Sequence, residues 1–411
     1  MNNERMNKKG EVMTTLLKGG KYYHPAGKGF VKGDILINGD KIEEILESKE
    51  LTASEKEPVV DIDGKFILPG LIDLHIHLCW DGSADPVDRL VREPRELTLL
   101  RMVRRARETV LSGITTVRDL GAVDDLTLPL STAIQENIVL GPRMIAAGKS
   151  LIMTGGHDPF WGICVNGPWE AVKAVRKQAE KGAKVIKVSA TGGVYGRKQG
   201  EEVGRCELTR EEIEAICGEA HRLGLRVASH ALGEEGIKNS VLAGCDTIEH
   251  GIFAQKEILQ KMVKKGTFLT PTLFIYRKIA EGNAPPYAKE KAKRVMEQHH
   301  RCFFEAKGVG VKILAGSDAG SPEAPHPSLF QEMEEMVRLG LLPMEVIHIA
   351  TLANAEALGM EDLIGSIEGG KIADLIILDE DPTEDLSKLN HIWGVMKEGS
   401  FIRKGDISPS R

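Results

Sequence analysis

Several things are missing from this chain, and each absence closes a route. Its six cysteines (Cys79, Cys164, Cys206, Cys217, Cys245 and Cys302) include no Cys-x-x-Cys pair. Scattered cysteines in a long chain read as reduced core residues, which points to a cytoplasmic protein. No apolar run approaches the length of a membrane span, and Met1–Gly10 is polar, without the apolar stretch of a signal peptide. Lys and Arg total 54 against 60 Asp and Glu, a net charge of −6 with no basic stripe. That balance argues against nucleic acid as a partner. No Gly-rich phosphate fingerprint opens the first strand–helix unit, which weakens the case for a doubly wound sheet. What remains is a small-molecule substrate, with no membrane partner. No interface pattern is readable, so a homo-oligomer stays open.

What is present is ordinary globular composition: 411 residues, 42% hydrophobic and 28% charged, enough for one large domain and a smaller one. Residues 1–12 read as a disordered tail. Short β-like runs follow at Thr14–Leu17, Asp34–Ile37, Lys41–Leu46 and Val59–Ile62, separated by turns such as Asn38-Gly39-Asp40. The C-terminal end reads the same way, with candidate strands at Ala373–Leu378 and His391–Lys397. Neither set holds enough residues for its own core, so together they predict one small β-sandwich domain from residues 13–68 and 367–411.

Residues 69–366 alternate apolar strands with amphipathic helices. Candidate strands are Leu71–His77, Ile114–Asp119, Arg143–Ala147, Lys184–Ala190, Arg226–His230, Thr247–His250, Thr267–Thr270 and Lys312–Ser317. Candidate helices include Glu96–Ser112, Pro168–Gly182, Thr209–Leu223, Ile258–Lys265, Tyr287–Lys307 and Leu329–Gly340. This size and rhythm predict an α/β fold, a (β/α)8 TIM barrel, whose catalytic groups belong at the C-terminal strand ends.

The first strand ends in His75-Ile76-His77. Strand side chains alternate with a period of two, so both imidazoles share a face and make half of a metal site. The later strands repeat the pattern: Lys187 within the fourth, His230 ending the fifth, His250 ending the sixth and Asp318 ending the eighth. Each has a bland alternative, such as a hydrogen-bonded core histidine, a structural ion pair for Lys187 or a helix cap for Asp318. Their agreement on one end of one barrel favours a metal site. Lys184 lies three residues from Lys187 and faces the other way. Cys79 follows His77 by two residues but reads as a small buried hydrophobe.

In this order of residues the chain resembles the amidohydrolase superfamily from about Ile42 to Ile377, including the return motif Gly365-Ser366-Ile367-Glu368-Gly369-Gly370-Lys371-Ile372-Ala373-Asp374-Leu375. Thr154-Gly155-Gly156-His157 and Thr191-Gly192-Gly193-Val194 are similar to its imidazolonepropionase-like branch, which includes metal-dependent Xaa-Pro and Xaa-Lys/Arg dipeptidases and ochratoxin-hydrolysing carboxypeptidases. The resemblance implies two divalent metal ions, zinc by preference. His75, His77 and Asp318 would hold one, His230 and His250 the other, and a carboxylated Lys187, a carbamate formed with carbon dioxide, would bridge them. Burial among cations frees the neutral amine for that reaction. Metal-activated hydroxide would then attack an amide carbonyl, with Asp318 carrying the proton to the leaving nitrogen. If Lys187 is unmodified, the fallback is a mononuclear site.

The resemblance places His157 near a substrate carboxylate or the reacting carbonyl, and Tyr195 and Arg197 on the loop after the fourth strand and His326 after Asp318 are further substrate-binding candidates. A backbone-bonded loop histidine is the alternative for His157, and a solvated loop charge for Arg197. One departure stands out: many peptidase relatives carry Tyr or His two residues after the fifth-strand histidine, where this chain has Leu232. The expected activity is hydrolysis of a dipeptide or N-acyl amino acid. The runner-up is opening of a cyclic amide such as an imidazolone or hydantoin. A non-enzymatic scaffold would be expected to lose metal ligands, and a deaminase would need a glutamate not evident at Ala231-Leu232-Gly233.

Overall fold

The structure, a computed structural model, describes residues 14–24, 26, 29–47, 58–195 and 201–405. The tail expected over 1–12 and the candidate Arg197 lie outside the described residues. The chain forms two compact units.

The first unit takes the described residues up to Ile72 with Val110–Thr115 and Gly340 onward. Its main feature is a nine-stranded mixed sheet. Strand Leu375–Leu378 pairs antiparallel with Phe66–Pro69, so the two ends of the chain meet edge to edge. The nine-residue strand Phe30–Asn38 explains why one continuous sheet forms. Its first residues pair with Lys21–Tyr23 and its last with Thr14–Lys18, so both halves are hydrogen-bonded through it. Gly39, at φ 63°, supplies the left-handed residue that the tight turn into Lys41–Glu47 needs. Leu17, Ile35, Ile37 and Ile67 from the N-terminal part share one core with Leu375, Ile377 and Met396 from the C-terminal part. Neither set could bury these faces alone.

The second unit, Asp73–Thr109 and Thr116–Leu339, is α/β. Its strands are β1 (Leu71–Ile76, from Asp73 on), β2 (Ile114–Asp119, from Thr116 on), β3 (Arg143–Ala146), β4 (Val185–Ser189), β5 (Arg226–Ala231), β6 (Thr247–His250) and β7 (Phe268–Thr270). β1, β2 and β3 pair in that order, and β4 to β7 pair in sequence as parallel neighbours. Nearly all their side chains are buried, as expected for parallel strands with both faces covered. Lys184 N–H donates to Ala146 C=O at 2.9 Å, linking β3 to β4.

The run expected as an eighth strand, Lys312–Ser317, forms no regular ladder, yet it lies between β7 and β1. Leu314 N–H donates to Leu269 C=O at 2.8 Å, and Leu74 N–H donates to Ala315 C=O at 3.1 Å. Two local features mark this irregular run. A side chain at Gly316 would meet Thr270 Cγ2 at 2.5 Å and His75 Cβ at 2.8 Å, and Asp318 turns left-handed at φ 54°.

The expected helices appear as Arg95–Leu111, Pro168–Glu180, Arg210–Arg222, Lys256–Lys265, Pro286–Val309 and Leu329–Arg338. Helices Thr127–Gln135, Glu234–Ala243 and Leu273–Glu281 add to them, as do short strands Ser150–Met153 and Gly162–Val165. No helix among the described residues is long and apolar enough to cross a membrane. Helix Arg210–Arg222 starts with a capping box in which Thr209 Oγ1 accepts from Glu212 N–H and the Glu212 carboxylate accepts from Thr209 N–H. Thr209→Ala is expected to lower stability by about 1 kcal/mol, read as a shift in urea midpoint at unchanged slope.

Candidate metal centre and substrate pocket

The strand ends bring His75, His77, Lys187, His230, His250 and Asp318 to one pocket. The hydrogen bonds around the imidazoles fix which nitrogen faces it. His75 Nδ1 lies 2.9 Å from Glu249 Oε2, and the other oxygen of that carboxylate accepts from Arg118 at 2.8 Å. His77 Nδ1 lies 3.2 Å from Gly121 C=O, which can only accept. His250 Nδ1 lies 2.7 Å from Thr272 Oγ1, whose own hydrogen goes to Pro271 C=O, so the oxygen accepts here too. All three rings therefore donate Nδ1–H to the protein and turn an unprotonated Nε2 inward. This is the arrangement of metal-ligating histidines.

The inward atoms converge. Asp318 Oδ1 is 3.6 Å from His77 Nε2 and 3.8 Å from His75 Nε2. His250 Nε2 is 3.0 Å from His230 Nδ1, while the buried Nε2 of His230 has no partner. Ligand atoms of His75, His250 and Asp318 all lie within 4.8 Å of one another. Burial, reinforced by neighbouring cationic groups, pushes His75, His230 and His250 well below the usual imidazole range, so they stay neutral and able to ligate. Burial also lowers the Lys187 ammonium, against the pull of Glu249, Asp158 and Asp318. It raises Asp318 to about 6, opposed by the hydrogen bond from Ser321. Neutral imidazoles, a carboxylate and a buried lysine form a donor set that fits divalent metal. His250, Thr272 and Asp318 all sit at positive φ (71°, 52° and 54°), backbone strain concentrated at the site.

The other candidates fall differently. His157 lines the pocket, but both ring nitrogens are engaged, Nδ1 by Glu201 at 2.5 Å and Nε2 by Asp158 at 3.1 Å. Burial opposes its charge, yet these carboxylates outweigh burial and hold its pKa near about 9. A folded pKa above the unfolded value stabilises the protein fully below about 6.5, and that stability is lost as pH rises through about 9. His157→Gln is expected to flatten the decline of urea midpoint across that window.

Tyr195 presents its ring to the pocket, with its hydroxyl bonded to Asp85 and to Val87 N–H at 3.1 Å. His326 is placed behind the pocket, where Nε2–H donates to His77 C=O at 3.1 Å. Lys187 is buried and Lys184 exposed. Cys79 is a buried thiol whose pKa burial pushes up, with Sγ 3.6 Å from Gly121 C=O. Leu232 is buried, and its N–H donates to Thr191 Oγ1. In the aromatic loop after β3, Trp161 stacks on His77 with ring centres 4.8 Å apart and packs on Trp80 at 4.4 Å.

Sequence reasoning missed Arg118, Glu249, Asp158, Glu201 and Tyr276. The one signal for Arg118 and Glu249 is a lone charge inside an apolar strand, at Thr116-Val117-Arg118 and Thr247-Ile248-Glu249.

Comparison with known proteins now adds to this geometry. The sequence profile of the amidohydrolase family matches residues 66–402. The chain belongs to the amidohydrolase family. Ochratoxinase of Aspergillus niger is 29% identical over 380 residues, covering 84% of this chain and 77% of that one. A solved Xaa-Pro dipeptidase with methionine bound in its active site is 33% identical, with a TM-score of 0.88 over 95% of this chain and 100% of that one. Imidazolonepropionase of Mesorhizobium japonicum is 27% identical over 361 residues, covering 79% of this chain and 80% of that one. This amidohydrolase is accordingly a hydrolytic enzyme acting on carbon–nitrogen bonds.

Proposed function

We propose that this amidohydrolase uses two divalent metals, most simply zinc, to cleave an amide bond in a dipeptide or N-acyl amino acid, as a dipeptidase or carboxypeptidase. The observation that carries the reading is the inward turn of three unprotonated Nε2 atoms, from His75, His77 and His250, toward Asp318 and His230. His75, His77 and Asp318 would hold one ion, His230 and His250 the second, and a carboxylated Lys187 would bridge them. Bound there, the ions would supply a hydroxide nucleophile and polarise the scissile carbonyl.

The chain's own groups do the rest. Glu249, Gly121 and Thr272 fix the three ring orientations. Trp80 and Trp161 exclude water from one side of the pocket. Asp318 takes the proton from the attacking water and delivers it to the leaving nitrogen. The backbone bonds that tie Lys312–Ala319 to both β7 and β1, and β3 to β4, support reading the second unit as a closed (β/α)8 barrel. The likeness to ochratoxinase and to the Xaa-Pro dipeptidase supports an acyl group joined to a C-terminal amino acid.

The test is amine release by zinc-supplemented protein, with bicarbonate present, across a library of dipeptides and N-acyl amino acids. Hits that share a C-terminal residue class, abolished by a chelator and restored by zinc, are expected. Silence across the library with metal bound would overturn the peptidase reading. It would favour a cyclic amide, the alternative that the imidazolonepropionase likeness and the apolar Leu232 support.

A further inference from the structure

We propose that Tyr276 donates its phenolic hydrogen to the carbonyl oxygen of the scissile amide and holds the negative charge that gathers there. The inference rests on the amide-hydrolase reading above and adds a residue that the strand-end pattern does not reach.

A tetrahedral oxyanion needs an N–H or O–H already aimed at it and not committed elsewhere. Ser321 spends its hydroxyl on Asp318 at 2.9 Å. Tyr195 spends its hydroxyl on Asp85, away from the site. The indole Nε1 atoms of Trp80 and Trp161 are buried and offer no surface to a ligand. His157 has both nitrogens held by carboxylates. Tyr276 lines the same pocket, and among the described residues no group is hydrogen-bonded to its hydroxyl.

Its position is also well held. The ring stands edge-on to His250 at 5.6 Å and 77°, and edge-on to His299 at 4.9 Å and 79°. It therefore touches one of the histidines that would hold metal. The helix that carries it, Leu273–Glu281, is anchored at its start by Glu332, whose two oxygens accept from Leu273 N–H at 2.9 Å and Phe274 N–H at 2.7 Å. Arg277 ties the same helix to Glu335 at 3.0 Å. Burial pushes the Tyr276 phenol above its ordinary range, so it keeps its hydrogen at neutral pH. The donor is thus present, and it is carried by a rigid element.

The step balances simply. A water-derived oxygen adds to the carbonyl carbon, and the carbonyl's π electrons move onto its oxygen, which accepts the hydrogen bond from Tyr276. Collapse returns those electrons and breaks the carbon–nitrogen bond. The leaving nitrogen takes the proton that Asp318 carried. Tyr276 gives up no proton, and the products are a carboxylic acid and an amine, which at neutral pH exchange the remaining proton to stand as carboxylate and ammonium.

The experiment compares Tyr276→Phe with the wild type, both zinc-loaded, on the dipeptide or N-acyl amino acid that the wild type hydrolyses fastest. The expected result is a kcat lower by about 100-fold with KM changed by less than ~3-fold. Zinc content and thermal midpoint should match. A phosphonamidate analogue, tetrahedral at the reacting centre, should lose affinity by the same factor as kcat/KM, while the product amino acid binds unchanged. A merely structural tyrosine would not separate those two ligands. If the wild type is active and Tyr276→Phe keeps kcat and analogue affinity within ~3-fold, the inference falls and the amide-hydrolase reading stands. If the wild type is silent on the whole library, the reading itself falls and takes the inference with it.

Discussion

Asp318→Asn is expected to lower kcat by about 10³-fold while leaving zinc content and thermal midpoint close to wild type. The substitution keeps the shape of the side chain and one oxygen, so a ligand position near His75 and His77 survives. What it removes is the proposed role of the carboxylate, accepting a proton from water and returning it to nitrogen. Asp318 Oδ1 stands 3.6 Å from His77 Nε2 and 3.8 Å from His75 Nε2, while Ser321 orients the carboxylate from the other side. Among the described residues, neither Asp158 in the pocket nor Glu249 behind it is as free. Asp158 is held by His157 at 3.1 Å, and Glu249 is shared between His75 and Arg118. KM should move little, since in the proposed mechanism the carboxylate acts on the reacting atoms rather than on the substrate's ends. Near-normal turnover in this variant would remove Asp318 from proton transfer.

The second large effect falls on stability. Glu249→Ala should destabilise the fold by about 3–5 kcal/mol, because it leaves the charge of Arg118 buried with neutral acceptors only. Both side chains are almost fully buried. Arg118 would keep Leu74 C=O at 2.6 Å and Thr247 Oγ1 at 3.0 Å, neither of which offsets a cation. His75 would lose the partner that sets its tautomer, so zinc content should fall as well. The double variant Arg118→Met/Glu249→Leu separates these effects. Removing both charges should restore most of the urea midpoint, whereas zinc affinity stays low. A Glu249→Ala protein as stable as wild type would show that the ion pair is dispensable.

The sequence made some of this legible for a definite physical reason. His75, His77, Lys187, His230, His250 and Asp318 announce themselves because parallel strands have a period of two and end at one face, so polar residues at those ends cannot hide. The small sheet was legible from its short apolar runs, although its single continuous ladder depends on the length of Phe30–Asn38. Arg118 and Glu249 were not legible, because partners 131 residues apart leave no spacing to read. His157 was visible in its Gly-Gly-His turn, but its enclosure by Asp158 and Glu201 was not. Neither carboxylate has a periodic relation to it. Strands Ser150–Met153 and Gly162–Val165 were missed because four-residue runs around Gly155-Gly156 read as loop. The eighth run was found but its irregular pairing was not, since neither the close approach at Gly316 nor the left-handed turn at Asp318 leaves a periodic signal.

The two bonds that Glu332 makes to the start of helix Leu273–Glu281 span 59 and 58 residues of sequence. One wall of the pocket is therefore inherited in two pieces. Transplanting residues 272–282 alone from a relative that lacks this glutamate would strand its own capping acceptor elsewhere. Transplanting them into such a relative would leave two buried amides bare. Altering what this enzyme accepts by exchanging segments would then succeed only when the helix and its distant anchor travel together, and a chimera library drawn at single loops should be depleted of folded members at this wall.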